Sequence, residues 1–153
     1  MNMVWLNVVQ LGLVGLLAGE EFIVRYGVQP ALHRLPDPAH VAARIALVKR
    51  LKVVVPSLML PALIASVALT VTAGGTTGVA WRIAGSAAFL VFLCFSLFGT
   101  VPINITVNDW DPEHPPHDWA RVAHRWETID TYRSAAAIAS FILFAISLAL
   151  QAK

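Results

Sequence analysis

The sequence predicts an all-α fold: a four-helix transmembrane bundle, N-out/C-out, with a polar cluster at its cytoplasmic end. Three observations carry that expectation. Hydrophobic residues fill 58% of the 153 positions, charged residues only 13%, and mean hydropathy is +0.69, more apolar surface than a soluble domain of this size could hide. Four stretches, Met1 to Gly19, Val53 to Trp81, Ile83 to Asn108 and Ser134 to Ala152, contain no Asp, Glu, Lys or Arg. Each reaches the roughly 20 residues that carry a helix across about 30 Å of hydrocarbon. Apolar residues also run all round these segments, where a soluble helix would show one apolar stripe.

The chain reads as a single membrane domain over 1–153, with helices at roughly 3–27, 39–73, 79–108 and 117–151. The first apolar run has no basic residue ahead of it and is longer than the core of a secretory signal, so it is expected to be a retained helix. Gly12, Gly15 and Gly19 would let a neighbouring backbone approach it closely. Pro36 and Pro38 mark a turn, and Asp37 can cap a second helix starting near Pro38. Pro56 and Pro61 remove backbone donors inside that helix and should bend it.

Charge sets the expected orientation. Arg34, Arg44, Lys49, Arg50 and Lys52 separate the first two apolar runs, with Arg25 at the end of the first, and the positive-inside tendency places this connection in the cytoplasm. The Gly- and Thr-rich connection from Thr72 to Trp81 carries only Arg82 at its edge and is expected outside. The segment from Asp109 to His117, followed by Arg121, Arg125 and Arg133, returns inside, so all nine acidic residues fall on the cytoplasmic half. Localisation in the bacterial inner membrane follows, and orientation accounts for a pI near 9 without a nucleic-acid partner. Cys94, the lone cysteine, cannot form an intramolecular disulfide and is expected to be a small core residue.

Chemistry has to come from polar groups that a bilayer otherwise excludes. Glu21 and Arg25 are spaced to pair on one face of the first helix, with Glu20 pointing elsewhere as a candidate site residue. Asn104 and Asn108 lie one turn apart at the cytoplasmic end of the third helix. Trp119, Trp126, Asp130 and Arg133 recur at steps of seven, four and three, one stripe of the fourth helix, with His124 and Glu127 beside it. An antiparallel bundle brings the end of the first helix, the end of the third and the start of the fourth to one depth. Glu20, Asn104, Asn108, Trp126, Asp130 and Arg133 can then share a pocket. A structural ion-pair network would use the same groups.

The order of these residues resembles a known family. Gly19-x-x-Phe22, Pro30-x-Leu32 with Leu35-Pro36, Val101-Pro102-x-Asn104, Trp119, and Trp126-x-x-x-Asp130-x-x-Arg133 are similar to the anthrone-oxygenase-like family of small four-helix membrane proteins, from about Gly12 to Ala149. That family commonly has Asn or His where this chain has Asp130. The resemblance implies an oxygenase, since some fungal members are associated with oxidation of polyketide anthrones to anthraquinones. The substrate would be a small hydrophobic phenol or anthrone, the co-substrate dioxygen, and no cofactor is needed in principle.

Such a site needs a base, a partner for the oxyanion and an apolar enclosure. Asp130 or Glu20 would be the base, Arg133 with Asn104 the oxyanion partner, and Trp126 with Trp119 or Tyr132 the stacking surface, with Asn108 also contacting substrate. A metal oxygenase binding iron or copper through His117, His124 and Glu127 is the alternative, although the paired Glu-x-x-His motifs of di-iron bundles are absent. His33 and His40 are expected at the surface. A third reading is a non-catalytic binding, transport or accessory protein, acting as a homo-oligomer because four helices are few for a carrier.

Overall fold

The computed structural model describes residues 3–72 and 77–151. Among them there are four long helices and no strand. The first runs as Met3–Ile23, widens into a π-helical turn at Val24–Val28 and closes with Gln29–Leu32. The second is Asp37–Val71. The third runs as Val79–Cys94, a π-helical segment Phe95–Thr100 and Val101–Asn108, and the fourth is Trp119–Gln151. All four are long and apolar enough to cross a membrane.

Both widened turns have the same local cause. A proline inside a helix lacks the N–H for its ladder bond and crowds the carbonyl four residues back. Pro30 and Pro102 each stand two residues beyond a π segment, where i→i−5 bonds, Gln29 N–H to Val24 O and Val101 N–H to Ser96 O, take up the extra residue. The first helix therefore continues past residue 27 instead of ending there. Pro56 and Pro61 lie within an unbroken second helix. Asp37 is that helix's first residue, and the cap position is Pro36, which offers no side-chain bond.

Consecutive helices alternate in direction, so the start of the first helix and the end of the fourth lie at the end of the bundle opposite the acidic residues. The third helix packs along most of the fourth, and the first packs on the second and fourth, while the second and third meet over a much shorter stretch. Buried positions follow a heptad. On the fourth helix Ala123, Trp126, Asp130, Arg133, Ala137, Ser140, Phe144 and Ser147 recur at alternating steps of three and four, the seam of a left-handed bundle. Two apolar clusters result, one around Leu17, Val55, Phe89, Phe92 and Phe144, the other around Val41, Val48, Val107 and Trp126. The outer surface is itself apolar, with Trp5, Leu60, Val71 and Phe98 all exposed, as lipid contact requires. Cys94 belongs to that outer surface, not to the core.

Of the three glycines expected to allow close helix approach, Gly15 does so and Gly12 and Gly19 do not. A Cβ on Gly12 or Gly19 would meet nothing within 4 Å, whereas one on Gly15 would touch Phe141 at 3.0 Å. Among the described glycines the tightest contact is at Gly99, in the third helix's π segment, where a Cβ would lie 2.6 Å from Ile129 Cγ2. Ile129 is β-branched and cannot swing aside freely. Gly99→Ala is therefore expected to lower stability by about 1–3 kcal/mol, and Gly12→Ala to leave it unchanged or slightly raised. Thermal unfolding of the two variants in detergent checks this.

Candidate functional site: a buried guanidinium at the foot of a cleft

On the first helix the buried positions Asn7, Gln10, Val14, Leu17, Glu21 and Val24 keep the same alternation of three and four. That phase turns Glu21 into the bundle. The π turn after it shifts the following residues, and Gln29 faces inward as a result. Arg25 consequently does not pair with Glu21. Its Nη1 donates to Thr131 O at 2.6 Å and to Ser134 Oγ at 3.0 Å.

Glu21 pairs instead with Arg133, whose Nη2 lies 2.8 Å from Glu21 Oε1 and 3.0 Å from Asp130 Oδ1. Arg133 Nε also donates to Asp130 Oδ1 at 3.2 Å, and the other Asp130 oxygen accepts from Gln29 Nε2 at 2.7 Å. Glu21 and Asp130 are both fully buried. The guanidinium carbon sits 5.9 Å from the ring centroids of Phe92 and Trp126, one from each apolar cluster, an arrangement in which aromatic faces add to its stabilisation. Trp126 Nε1 in turn donates to Asn104 Oδ1 at 2.9 Å. Glu20 is partly buried, with its carboxyl against that of Glu21. The first-helix carboxylate paired with the guanidinium is thus Glu21, one residue from the expected Glu20.

Where the second and third helices meet least, a cleft of about 320 Å³ opens. Its walls are apolar, from Val48, Leu51, Val55 and Met59 on one side and Leu97, Val101 and Ile105 on the other. Its polar groups are Asn104, Asn108, Ser96, Thr100, Lys52, Trp126 and Arg133. Neither Glu20 nor Asp130 lines it; Asp130 reaches the cleft only through Arg133. Four of the expected site residues, Asn104, Asn108, Trp126 and Arg133, therefore do share one pocket.

The remaining candidates lie elsewhere. Tyr132 points outward, 59% exposed, and stacks on Phe95. Trp119 packs edge-on against His40 with ring centroids 5.0 Å apart, and His40 is buried rather than at the surface. These two rings border a separate recess with His33, His124 and Glu127. Glu127 is engaged by Arg44 Nη2 at 2.6 Å and His33 Nε2 at 3.2 Å. His117 and His124 are exposed, and among the described residues no three His, Cys, Asp or Glu side chains are placed to hold a metal ion, the set His117, His124 and Glu127 included. In the connection before the fourth helix, the Glu113 backbone N–H and the His114 ring hold the Asp111 carboxyl below its usual range.

Sequence reasoning left Glu21, Gln29 and Lys52 out of the site. For Glu21 a signal was present: Asn7 and Gln10 mark the interior stripe of an otherwise apolar helix, and steps of three and four from them reach Glu21, not Glu20. Gln29 had none, because its facing depends on the π turn.

Together these features define a four-helix membrane bundle in which the buried ion cluster of Arg133, Glu21 and Asp130 borders an apolar cleft. The family described as anthrone oxygenase matches residues 46–143, and the chain belongs to that family. No curated protein and no solved structure matches the chain. The matched range contains the cleft from Val48 to Arg133 but not Glu21 or Gln29.

Removing one partner of a buried ion pair strands the other charge at a cost of about 3–5 kcal/mol. Arg133→Met, which strands both Glu21 and Asp130, should show a loss of that size in unfolding titrations in mixed micelles. Glu20→Gln should show none, so an equal loss in the two variants would contradict the pairing.

Proposed function

We propose that this protein is a membrane-embedded oxygenase that takes a small phenolic or anthrone-like substrate into the cleft and oxidises it with dioxygen, without a cofactor. The observation that carries the reading is that Arg133 ends the apolar cleft on one side and binds two buried carboxylates on the other. An ionised phenol or enol presents its oxyanion to Arg133, with the amides of Asn104 and Asn108 as further donors, while apolar walls keep water from the ring. Trp126, fixed by its bond to Asn104, offers the aromatic face.

The oxyanion competes with Glu21 and Asp130 for the guanidinium; neither carboxylate lines the cleft, so the one that is displaced turns past Arg133 into the cleft to take the substrate proton. The resulting carbanion gives one electron to dioxygen, and the radical pair joins through a carbon–oxygen bond to form a peroxide. Return of the proton and loss of water across that peroxide leave a carbonyl. One CH₂ and one O₂ thus become one C=O and one H₂O, and the base is regenerated. The charged end of the bundle faces the cytoplasm in this reading, in accord with the basic residues of the first connection.

The test is turnover of an anthrone by protein purified into nanodiscs under isotopically labelled dioxygen. The label should enter the new carbonyl. Asn104→Leu, which removes an oxyanion donor and releases Trp126, should lower kcat about 10²-fold, and Tyr132→Phe should not. Probe that binds but is never consumed would turn the reading into that of a binding protein. Turnover that tracks bound iron or copper would replace the cofactor-free route.

A further inference from the structure

The cleft carries one cation that the oxygenation described above does not use. Two cations line it, Arg133 at its foot and Lys52 on the second helix, and no carboxylate does. Arg133 is neutralised from behind by Glu21 and Asp130. Lys52 is exposed and makes no ion pair among the described residues.

Lys52, Pro56 and Met59 follow one another at steps of four and three, so they form one wall of the cleft. Lys52 is also the last charged residue before the uncharged run that begins at Val53. A lysine at such a boundary extends its ammonium toward the headgroup layer while its stem covers apolar surface. The cleft therefore carries two cations on different helices, Arg133 of the fourth and Lys52 of the second, among the amides and hydroxyls of Asn104, Asn108, Ser96 and Thr100.

We propose that the ligand of this cleft is an aromatic carboxylic acid, an amphiphilic anion whose carboxylate is selected by Lys52 while its phenolic oxygen meets Arg133. This rests on the phenolic reading above and narrows its substrate class. A phospholipid with its phosphate at Lys52 fits less well, because its acyl methylenes would then lie against Asn108, whose buried side-chain oxygen has no hydrogen-bond partner among the described residues. The volume also suits a small ligand, near the lower end of the about 300–1,000 Å³ of small-molecule sites.

The experiment measures binding without turnover, using a dihydroxyanthraquinone and the same compound bearing a ring carboxylate, each titrated into protein in zwitterionic nanodiscs. Wild type should bind the carboxylate about tenfold more tightly, a typical value for one well-placed charge at a partly desolvated site. Lys52→Met should bring the ratio of the two affinities close to one, and Lys52→Arg should keep it. A wild type that does not distinguish the compounds, or a Lys52→Met variant that still does, overturns the proposal. So does displacement of both probes by anionic phospholipid, which would make the cleft a lipid seat. Because only affinities are compared, failure of this inference is separate from failure of the oxygenase reading, which is judged by label incorporation.

Discussion

The pairing of Arg133 with Glu21 and Asp130 is the constraint on which this bundle is built. Taking a guanidinium and two carboxylates out of water costs several kcal/mol for each ion, and only close mutual contact offsets that cost. Glu21 comes from the first helix and Asp130 from the fourth, so their meeting at Arg133 fixes the register of those helices. Apolar side chains can slide past one another by a turn with little loss. Ions that must touch within 3.0 Å cannot.

Much of the surrounding structure serves that contact. Gln29, turned inward by the π segment ahead of Pro30, occupies the second Asp130 oxygen. Phe92 and Trp126 flank the guanidinium. Ser96 and Thr100, in the other π segment, donate to carbonyls of their own helix and line the cleft. π segments recur where a helix must re-aim side chains at functional sites, and here both lie next to the charged layer. One cation thus stabilises the interior and faces a ligand space, and a ligand anion there competes with the carboxylates for it. That competition links the packing of the bundle to the proposed chemistry.

The class of fold was legible because a bilayer imposes length and polarity on every crossing segment, and the four uncharged runs meet both requirements. The site was legible where the heptad is unbroken: the stripe through Trp126, Asp130 and Arg133 follows from spacing alone, and Asn104 joins it through its bond to Trp126. Reading failed where the phase changes. Arg25 was paired with Glu21 by counting four residues, but the extra residue of the π turn carries it to Thr131 and Ser134. Trp119 keeps the stripe's phase yet lies one heptad beyond Trp126, where the charged end opens and His40 is its partner. Tyr132 precedes Arg133 by one residue, about 100° round the helix, and so faces outward.

The measurement closest to the central claim is the visible absorption of a hydroxyanthraquinone bound in the cleft, since the ionised phenolate absorbs at longer wavelength than the neutral phenol. Bound to wild type at neutral pH it should show the phenolate spectrum, held by Arg133. In the charge-balanced variant Arg133→Gln with Glu21→Gln, which removes one cation and one carboxyl together, the bound dye should show the neutral spectrum. A neutral spectrum in wild type, or a phenolate spectrum that survives in the double variant, would contradict the account.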